Sequence, residues 1–535
     1  MHREALAINQ KFFGAAAREA AASLDDLGVA LDKKGDLSEA ESVHRQALGI
    51  RRGLYGREHS EVATSLNDLA SVLRHEGKPE DSRRLTLEAL QIRRKLFGDD
   101  SLAVADTLHN LSVVLGDQGK WGESEATARE ELRIRRKLLG LEDPAVASAL
   151  NDVAWAAGFN GKPDEAESLQ RAALAMQRKL LGDENPAVAK TLSSLGERLR
   201  KRGDLTGAAN LIEAAVSIQR KLSGDVSPDF LYTLDNLALT LEAEGQMAES
   251  ESVRREALAL WRKQLGAESP RTLAEIDGLA RVLVAQKKFM EANLLLGEAL
   301  TPELARQPKS ADLLCWRADL EARAGQWKAA AADAELAFED QPNLKRCSLV
   351  AALLVEAQDR SGYESICQKF LSRFGGTQDI YVAEQVAKSC LYRPNEEVDL
   401  RAVDQMIDAA LIRGADDAAA MPYFQDSKAL SEYRQGHYAA AVEWAKKPLA
   451  VPGLAGHGHA YAVLAMADWQ LGQKDEARSM LAKGEELEPA ILPASIAGDP
   501  SDLWQHWVYA RIQLEEAAAL IQPASTPADR PGTPP

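Results

Sequence analysis

Side chains that could carry acid–base, metal or nucleophilic chemistry are scattered through this chain. It has nine histidines among 535 residues, and the one close pair is His457 and His459. Neither a cysteine nor a set of carboxylates stands beside that pair, which favours the end of a loop over a metal site. Adjacent carboxylates such as Asp25 and Asp26 are interpreted as part of a solvated face, because basic residues are not far away in sequence.

Known catalytic motifs are missing from the sequence as well. It has no phosphate loop of the G-x-x-x-x-G-K-[ST] kind, no H-E-x-x-H, no G-x-S-x-G, and no kinase set of glycine-rich loop, H-R-D and D-F-G. The sequence therefore predicts no catalytic, cofactor-binding or metal-binding residue and no enzymatic activity. An enzyme with an unrecognised site in residues 346–421 is the least favoured alternative.

Basic residues form a regularly spaced ladder. Its members are Arg51, Arg52, Arg93, Arg94, Lys95, Arg135, Arg136, Lys137, Arg178, Lys179, Arg220, Lys221, Arg262 and Lys263. If each group ends a helix, the helix dipole favours these cations by roughly 0.3–1 kcal/mol each. That interpretation is favoured over a stripe that binds an acidic partner.

A second ladder is made of short amide, hydroxyl and acidic side chains. Its members are the pairs Asp25 and Asp26, Asn67 and Asp68, His109 and Asn110, Asn151 and Asp152, Ser193 and Ser194, and Asp235 and Asn236. An asparagine amide both donates and accepts hydrogen bonds, so it suits a peptide backbone of any sequence. Asn and Asp are poor helix formers, so their recurrence costs stability unless something, such as a bound peptide, uses it. The alternative is that exposed helix positions are polar anyway.

The elements that must position both ladders are set by a 42-residue repeat. One glycine series is Gly35, Gly77, Gly119, Gly161, Gly203 and Gly245, and a second is Gly14, Gly56, Gly98, Gly140, Gly182, Gly224 and Gly266. Between the glycines, apolar residues recur at helical spacing, as in Leu66, Leu69, Ala70 and Leu73. Each copy is therefore predicted to be a hairpin of two antiparallel helices.

Small residues recur at one position of each predicted helix. They are Gly28, Ala70, Ser112, Ala154, Gly196, Ala238 and Ala280 in the first helix, and Ala40, Ser82, Ser124, Ala166, Ala208, Ser250 and Ala292 in the second. Side chains of this size let two helix axes approach closely. Lys287 replaces a turn glycine and Glu131 a second-helix alanine, and both departures predict weaker local contacts.

These residues resemble the tetratricopeptide repeat in its longer, kinesin-light-chain-like form. The segment LNDLASVLRHEGKPEDSRRLTLEALQIRRKLFG is similar to that form's first helix, turn, second helix and basic ending. The resemblance implies an all-α fold, a right-handed α–α superhelix (TPR solenoid), whose first helices line a concave groove that binds peptides. The groove residues that it implies are Asn67, Asp68, His109, Asn110, Asn151, Asp152, Asp235 and Asn236.

The chain divides into five predicted segments. Residues 1–300 form the kinesin-light-chain-like array, 301–345 a single 34-residue repeat, and 346–421 degenerate helical repeats. Residues 422–521 hold further repeats and a final helix in which Trp504, Trp507 and Leu514 cover the apolar end of the stack, and 522–535 form a Pro-rich disordered tail. The first repeat is incomplete, because residues 1–14 match the second helix of a repeat. This predicts that the natural chain continues upstream, or that another segment covers the exposed face.

Composition excludes several classes of protein. A net charge of −17 disfavours a nucleic-acid partner. The sequence contains no run of about 18 apolar residues, so no membrane-spanning helix is predicted. The four cysteines, Cys315, Cys347, Cys367 and Cys390, have no C-x-x-C spacing and are typical of reduced core thiols. The expected location is cytoplasmic.

Two functions fit these observations. The first is a non-catalytic scaffold that binds other proteins or peptides in its groove, without a cofactor. The second is the regulatory or targeting C-terminal region of a larger bacterial Ser/Thr protein kinase, because residues 346–521 resemble the helical tails of such kinases. The catalytic domain would then lie outside this chain. Neither hypothesis predicts an oligomeric state.

Overall fold

In the computed structural model, residues 2–222, 227–340, 342–451, 457–491 and 504–522 are described, and every regular element within them is a helix. The predicted all-α solenoid class is confirmed. The chain divides into two compact units, Met1–Gln246 and Met247–Pro535. None of the described helices combines the length and apolar composition needed to cross a membrane.

The first unit is a run of helical hairpins. Its helices are α1 (His2–Phe13), α2 (Arg18–Lys34), α3 (Leu37–Tyr55), α4 (Ser60–His75), α5 (Pro79–Phe97), α6 (Leu102–Asp117), α7 (Trp121–Leu139), α8 (Pro144–Phe159), α9 (Pro163–Leu181), α10 (Pro186–Lys201), α11 (Leu205–Leu222) and α12 (Pro228–Ala243). The even-numbered helices are the first helices of the repeats. From α2 to α11, each first helix packs against the second helix that follows it, and successive first helices contact one another.

Glycine makes the tight turn inside each hairpin. At Gly77 the backbone has φ +75°, and the N–H of Lys78 donates to the carbonyl of Leu73 at 2.9 Å, which closes a Schellman-type end on α4. Pro79 then opens α5 at its first position, where a missing N–H costs nothing.

The glycine that follows a second helix has a conformation outside the left-handed helical region. Gly98 combines a φ of 76° with a ψ of 173°. This region is open almost only to glycine. The chain leaves α5 in an extended direction and reaches Ser101, whose Oγ accepts from the N–H of Val104 and caps α6.

The small residues lie where the helices of a hairpin meet. Ala70 and Ser82 are both buried, and the Ser82 hydroxyl donates to the Ala70 carbonyl at 2.6 Å. The next hairpin repeats this contact, since the Ser124 hydroxyl donates to the Ser112 carbonyl at 2.7 Å. The prediction of close helix contact is confirmed.

The helix α1 packs on α2 and keeps part of its apolar surface in solvent. Arg3 pairs with Glu39 at 2.7 Å, and Leu6 packs against the core of the first hairpin. Ile8, Phe12 and Phe13 are exposed.

The second unit contains the remaining helices. They are α13 (Met247–Leu265), α14 (Pro270–Ala285), α15 (Phe289–Ala299), α16 (Pro302–Ala305), α17 (Ala311–Arg323), α18 (Trp327–Asp340), α19 (Leu344–Glu356), α20 (Arg360–Phe374), α21 (Ile380–Ser389), α22 (Leu400–Arg413), α23 (Met421–Arg434), α24 (Tyr438–Leu449), α25 (His457–Gln470), α26 (Lys474–Ile491) and α27 (Trp504–Ile521). A 3-10 turn, Pro308–Ser310, precedes α17.

The final helix packs into the second unit. It contacts α19 as well as α25 and α26, and the Gln513 side chain donates to the Tyr392 carbonyl at 2.8 Å. Leu514 is buried as predicted. The side chains of Trp504 and Trp507 and the predicted tail from residue 523 onward lie outside the part that can be described. Cys367 and Cys390 are buried cysteines outside any disulfide bond, and Cys315 is half-buried.

Candidate functional site

The predicted groove residues of the first unit all lie on first helices. Four of these helices carry them at repeat-equivalent positions: Asn67 and Asp68 on α4, His109 and Asn110 on α6, Asn151 and Asp152 on α8, and Asp235 and Asn236 on α12. Asn67 is buried and the other seven are half-buried. These side chains are therefore less exposed to solvent than polar side chains on an ordinary solvated helix face.

Three of the asparagines bond to the neighbouring first helix. The Asn67 amide donates to Thr107 Oγ1 at 3.3 Å, and the Asn151 amide donates to Thr191 Oγ1 at 2.7 Å. These bonds join successive repeats, which gives a short amide a structural use at this position.

Asn236 lies one position later in the repeat than Asn67 and Asn151, and it bonds to the preceding first helix. Its amide donates to Ser193 Oγ at 3.4 Å, on the preceding first helix. Asn67, Asn151 and Asn236 thus have structural partners without a ligand, and peptide binding by the ladder residues stays a prediction.

Three acidic members of the ladder, Asp25, Asp68 and Asp152, lie in two polar clusters between repeats. In the first, His44 Nδ1 lies 3.0 Å from Asp25 Oδ1, and Asp68 is the third member. Burial and the charge of Asp25 raise the pKa of Asp68 to about 6. Arg51 forms an ion pair with Asp25 and donates to Ser65 Oγ at 2.6 Å.

The second cluster joins His109, Glu131 and Asp152. His109 Nδ1 lies 3.0 Å from Asp152 Oδ2, and this hydrogen bond is the main reason that the pKa of His109 is raised. Burial raises the pKa of Glu131 to about 7. Glu131 places a carboxyl group between two repeats, where Arg135 Nε donates to Glu131 Oε1 at 2.8 Å. The weaker local contacts expected at this position stay a prediction.

The basic ladder is largely paired with carboxylates of adjacent repeats. Arg94 lies 2.8 Å from Glu130, and Lys179 lies 2.6 Å from Glu142. Further inter-repeat pairs are Arg52 with Glu88, Lys95 with Glu58, Lys137 with Asp100, and Lys221 with Glu184. This arrangement supports a structural role for the ladder rather than an open cationic stripe.

Sequence reasoning missed an aromatic cluster beside the polar ladder. Trp121 at the start of α7 stacks on Phe159 at the end of α8, with ring centroids 4.4 Å apart, and Trp155 meets both rings edge-on. Phe159 is 52% exposed, and Lys201 Nζ lies 5.6 Å from its ring. The sequence feature that could have revealed this cluster is the local concentration of aromatic residues: three lie within 39 positions, in a chain that is 5% aromatic.

The first unit thus offers a polar and aromatic surface on helices held in register by bonds between repeats. Its side chains can donate, accept and stack, which are the interactions that bind a peptide. Together, the stacked hairpins and this surface define a helical-repeat protein of the solenoid class.

Sequence models of one family match most of the repeats. A model described as Tetratricopeptide repeat matches residues 61–137, 112–179, 145–221 and 229–301, and two others with the same description match 20–61 and 458–491. The chain belongs to the tetratricopeptide repeat family.

Solved structures similar to the chain include other proteins of this kind. One contains the nearly identical TPR-like repeats assigned to a kinesin light chain of Podosopora anserina, at 24% identity and a TM-score of 0.33, covering 38% of this chain and 98% of that one. BtubC (BKLC) from P. vanneervenii is 21% identical, with a TM-score of 0.36 and coverage of 44% and 92%. A tetratricopeptide repeat protein from Parabacteroides merdae is 14% identical, with a TM-score of 0.34 and coverage of 53% and 98%. No curated protein matches the chain.

Proposed function

We propose that this protein is a non-catalytic scaffold that binds partner peptides or proteins on the first helices of its repeats. The observation that carries the proposal is the tetratricopeptide repeat array itself, since a stack of helical hairpins builds an extended binding surface.

The half-buried ladder supports this location. Its amides and carboxylates sit on α4, α6, α8 and α12 at repeat-equivalent positions, so one extended chain could meet them in succession. The exposed face of Phe159 and the nearby Lys201 add an apolar and a cationic contact at the α8 end of this surface.

A matched pair of amide substitutions tests the proposal. Peptides are first selected from a random displayed library against the full chain, and their Kd is measured by fluorescence anisotropy. Asn110→Ala, on α6, is expected to weaken binding about tenfold or more, because one lost peptide hydrogen bond in a shielded site costs on the order of 1.5 kcal/mol.

The control is Gln91→Ala, which removes an exposed amide from the second helix α5 and should leave the Kd unchanged. Equal Kd values for wild type and Asn110→Ala, or a loss confined to Gln91→Ala, would contradict the proposed location.

The alternative function, a regulatory region of a larger bacterial Ser/Thr kinase, concerns residues 346–521. It is tested by detecting the natural protein in its own cells with an antibody to this region. A species near 58.1 kDa supports an independent scaffold, and a much heavier species that carries a kinase domain supports the alternative.

A further inference from the structure

Three side chains with metal-binding chemistry meet between the third and fourth hairpins. His109 comes from α6, Glu131 from α7 and Asp152 from α8, and one ligand atom of each lies within 4.8 Å of the others. His109 Nδ1 is 3.0 Å from Asp152 Oδ2 and 3.8 Å from Glu131 Oε2. Successive members of the three are 22 and 21 positions apart in sequence, so no short sequence motif reveals the site.

One oxygen of this cluster is buried and unsatisfied. Glu131 is 1% exposed, and its Oε2 has no hydrogen-bond partner, while its Oε1 accepts from Arg135 at 2.8 Å. Arg135 also donates to Asp106 at 2.9 Å. A buried carboxylate oxygen without a partner is costly unless a cation or a proton satisfies it.

The repeat register shows that this set of residues is particular to one place. At the equivalent positions, the repeats on either side have Asn67 and Asn151 for His109, and Ala89 and Ala173 for Glu131. The helices of the neighbouring repeats therefore pack with an asparagine and an alanine at these two positions. At the junction between the third and fourth hairpins, His109 replaces the asparagine and Glu131 replaces the alanine.

The spacing of the ligand atoms fits a small divalent ion. Zinc binds nitrogen and oxygen ligands at about 2.0–2.2 Å in tetrahedral geometry, which places neighbouring ligand atoms roughly 3.3 Å apart. The separations of 3.0 and 3.8 Å from His109 Nδ1 lie on either side of that value. The His109 side chain is 39% exposed, so an ion can reach the cluster from solvent.

We propose that His109, Glu131 and Asp152 bind one divalent transition-metal ion, with zinc as the best match to one imidazole and two carboxylates. A solvent molecule completes the coordination. Because the ligands come from α6, α7 and α8, the ion links two successive repeats. The proton shared by His109 and Asp152 leaves on binding, so the affinity falls as the pH is lowered.

The related cluster of Asp25, His44 and Asp68 differs in its access to solvent. It occupies the junction two repeats earlier, where Asp25 and Asp68 are the repeat equivalents of His109 and Asp152. An arginine is paired with a carboxylate in both clusters, Arg51 with Asp25 and Arg135 with Glu131, but His44 is only 1% exposed, so an ion has no direct access to it from solvent.

Calorimetric titration of the tag-free full chain with zinc chloride tests the proposal, with magnesium chloride as the comparison ion. The wild type should bind one equivalent of zinc tightly, in competition with a weak chelator, and should not bind magnesium at the same concentrations. Replacing zinc by cobalt(II) should give the visible absorption of a low-coordinate site.

Two variants restore the residues of the neighbouring repeats and are therefore expected to fold. Glu131→Ala and His109→Asn should each weaken zinc binding at least tenfold while the far-UV circular dichroism spectrum stays unchanged. His437→Asn, which changes an exposed histidine paired with Glu432, should keep the wild-type affinity. Zinc affinity that is the same in wild type, Glu131→Ala and His109→Asn would overturn the proposal, as would a wild type that takes up no zinc.

Discussion

At the scale of single residues, the acidic and amide members of the ladder differ in how they affect the free energy of unfolding. Asp68 is half-buried beside Asp25, and desolvation raises its pKa from the ordinary 3.8 to about 6. His44, Arg51 and Arg93 face the same carboxyl group and lower its pKa by a smaller amount. The ionised form of Asp68 is therefore less stable in the folded protein than in the unfolded chain.

Asp68→Asn should stabilise the protein increasingly as the pH rises. A carboxyl group with a raised folded pKa contributes most stability below its unfolded pKa and loses it as the pH rises through the folded pKa. The variant should match the wild type near pH 4 and exceed it by on the order of 2 kcal/mol at pH 7, measured by urea unfolding.

The matched control is Asp26→Asn, at the equivalent position of the preceding repeat, where the side chain is exposed. Because the side chain is already solvated, the free energy of unfolding of Asp26→Asn at pH 7 should stay within about 0.5 kcal/mol of wild type. A flat difference for Asp68→Asn would refute the link between burial and its titration.

Asn151→Ala should lower stability by removing a bond between repeats. The Asn151 amide donates to Thr191 Oγ1 at 2.7 Å, and that hydroxyl donates onward to Gln177 at 2.7 Å. A typical hydrogen bond contributes about 0.5–1.5 kcal/mol, and the loss should appear in the urea midpoint. Asn110→Ala, also half-buried, should be less costly because it lacks such a bond to a neighbouring first helix; equal costs would contradict this account.

At the scale of the helices, the turns follow the glycine period even where glycine is absent. Lys287 stands at the turn between α14 and α15 and has φ +62°, in the region that the equivalent glycines occupy. Its N–H donates to the Val284 carbonyl at 2.8 Å, and the next N–H donates to Leu283 at 2.9 Å. The hairpin therefore keeps its geometry at the cost of local backbone strain.

Lys287→Gly should raise the melting temperature of the protein. A non-glycine residue in left-handed conformation costs roughly 1–2 kcal/mol, and the entropy of glycine in the unfolded chain offsets part of that gain. The reciprocal change Gly245→Lys should destabilise, followed in both cases by circular dichroism at 222 nm. An unchanged or lowered melting temperature for Lys287→Gly would show that the turn is not strained.

Sequence periodicity predicted these elements well because each feature it used is local to one hairpin. Apolar spacing located Leu66 and Leu69, which are both buried. In the second helix α5, Leu85, Ala89, Leu90 and Ile92 are buried, while Leu87 is 41% exposed.

At the scale of the whole molecule, the site was harder to predict than the fold. The ladder positions followed from the 42-residue period, but the period does not tell whether Asn67 faces a ligand or Thr107. The contacts that decide this join residues about 40 positions apart. Glu131 was noticed only as a departure from alanine, because its partners His109 and Asp152 lie on other helices.

The central claim is that partners bind on the first helices, and hydrogen–deuterium exchange of the full chain tests it most directly. Exchange is measured with and without a saturating selected peptide. The account predicts slower exchange in α4, α6, α8 and α12, with little change in the second helices α5, α7 and α9. Protection confined to the second helices, or absent from the first helices, would contradict it.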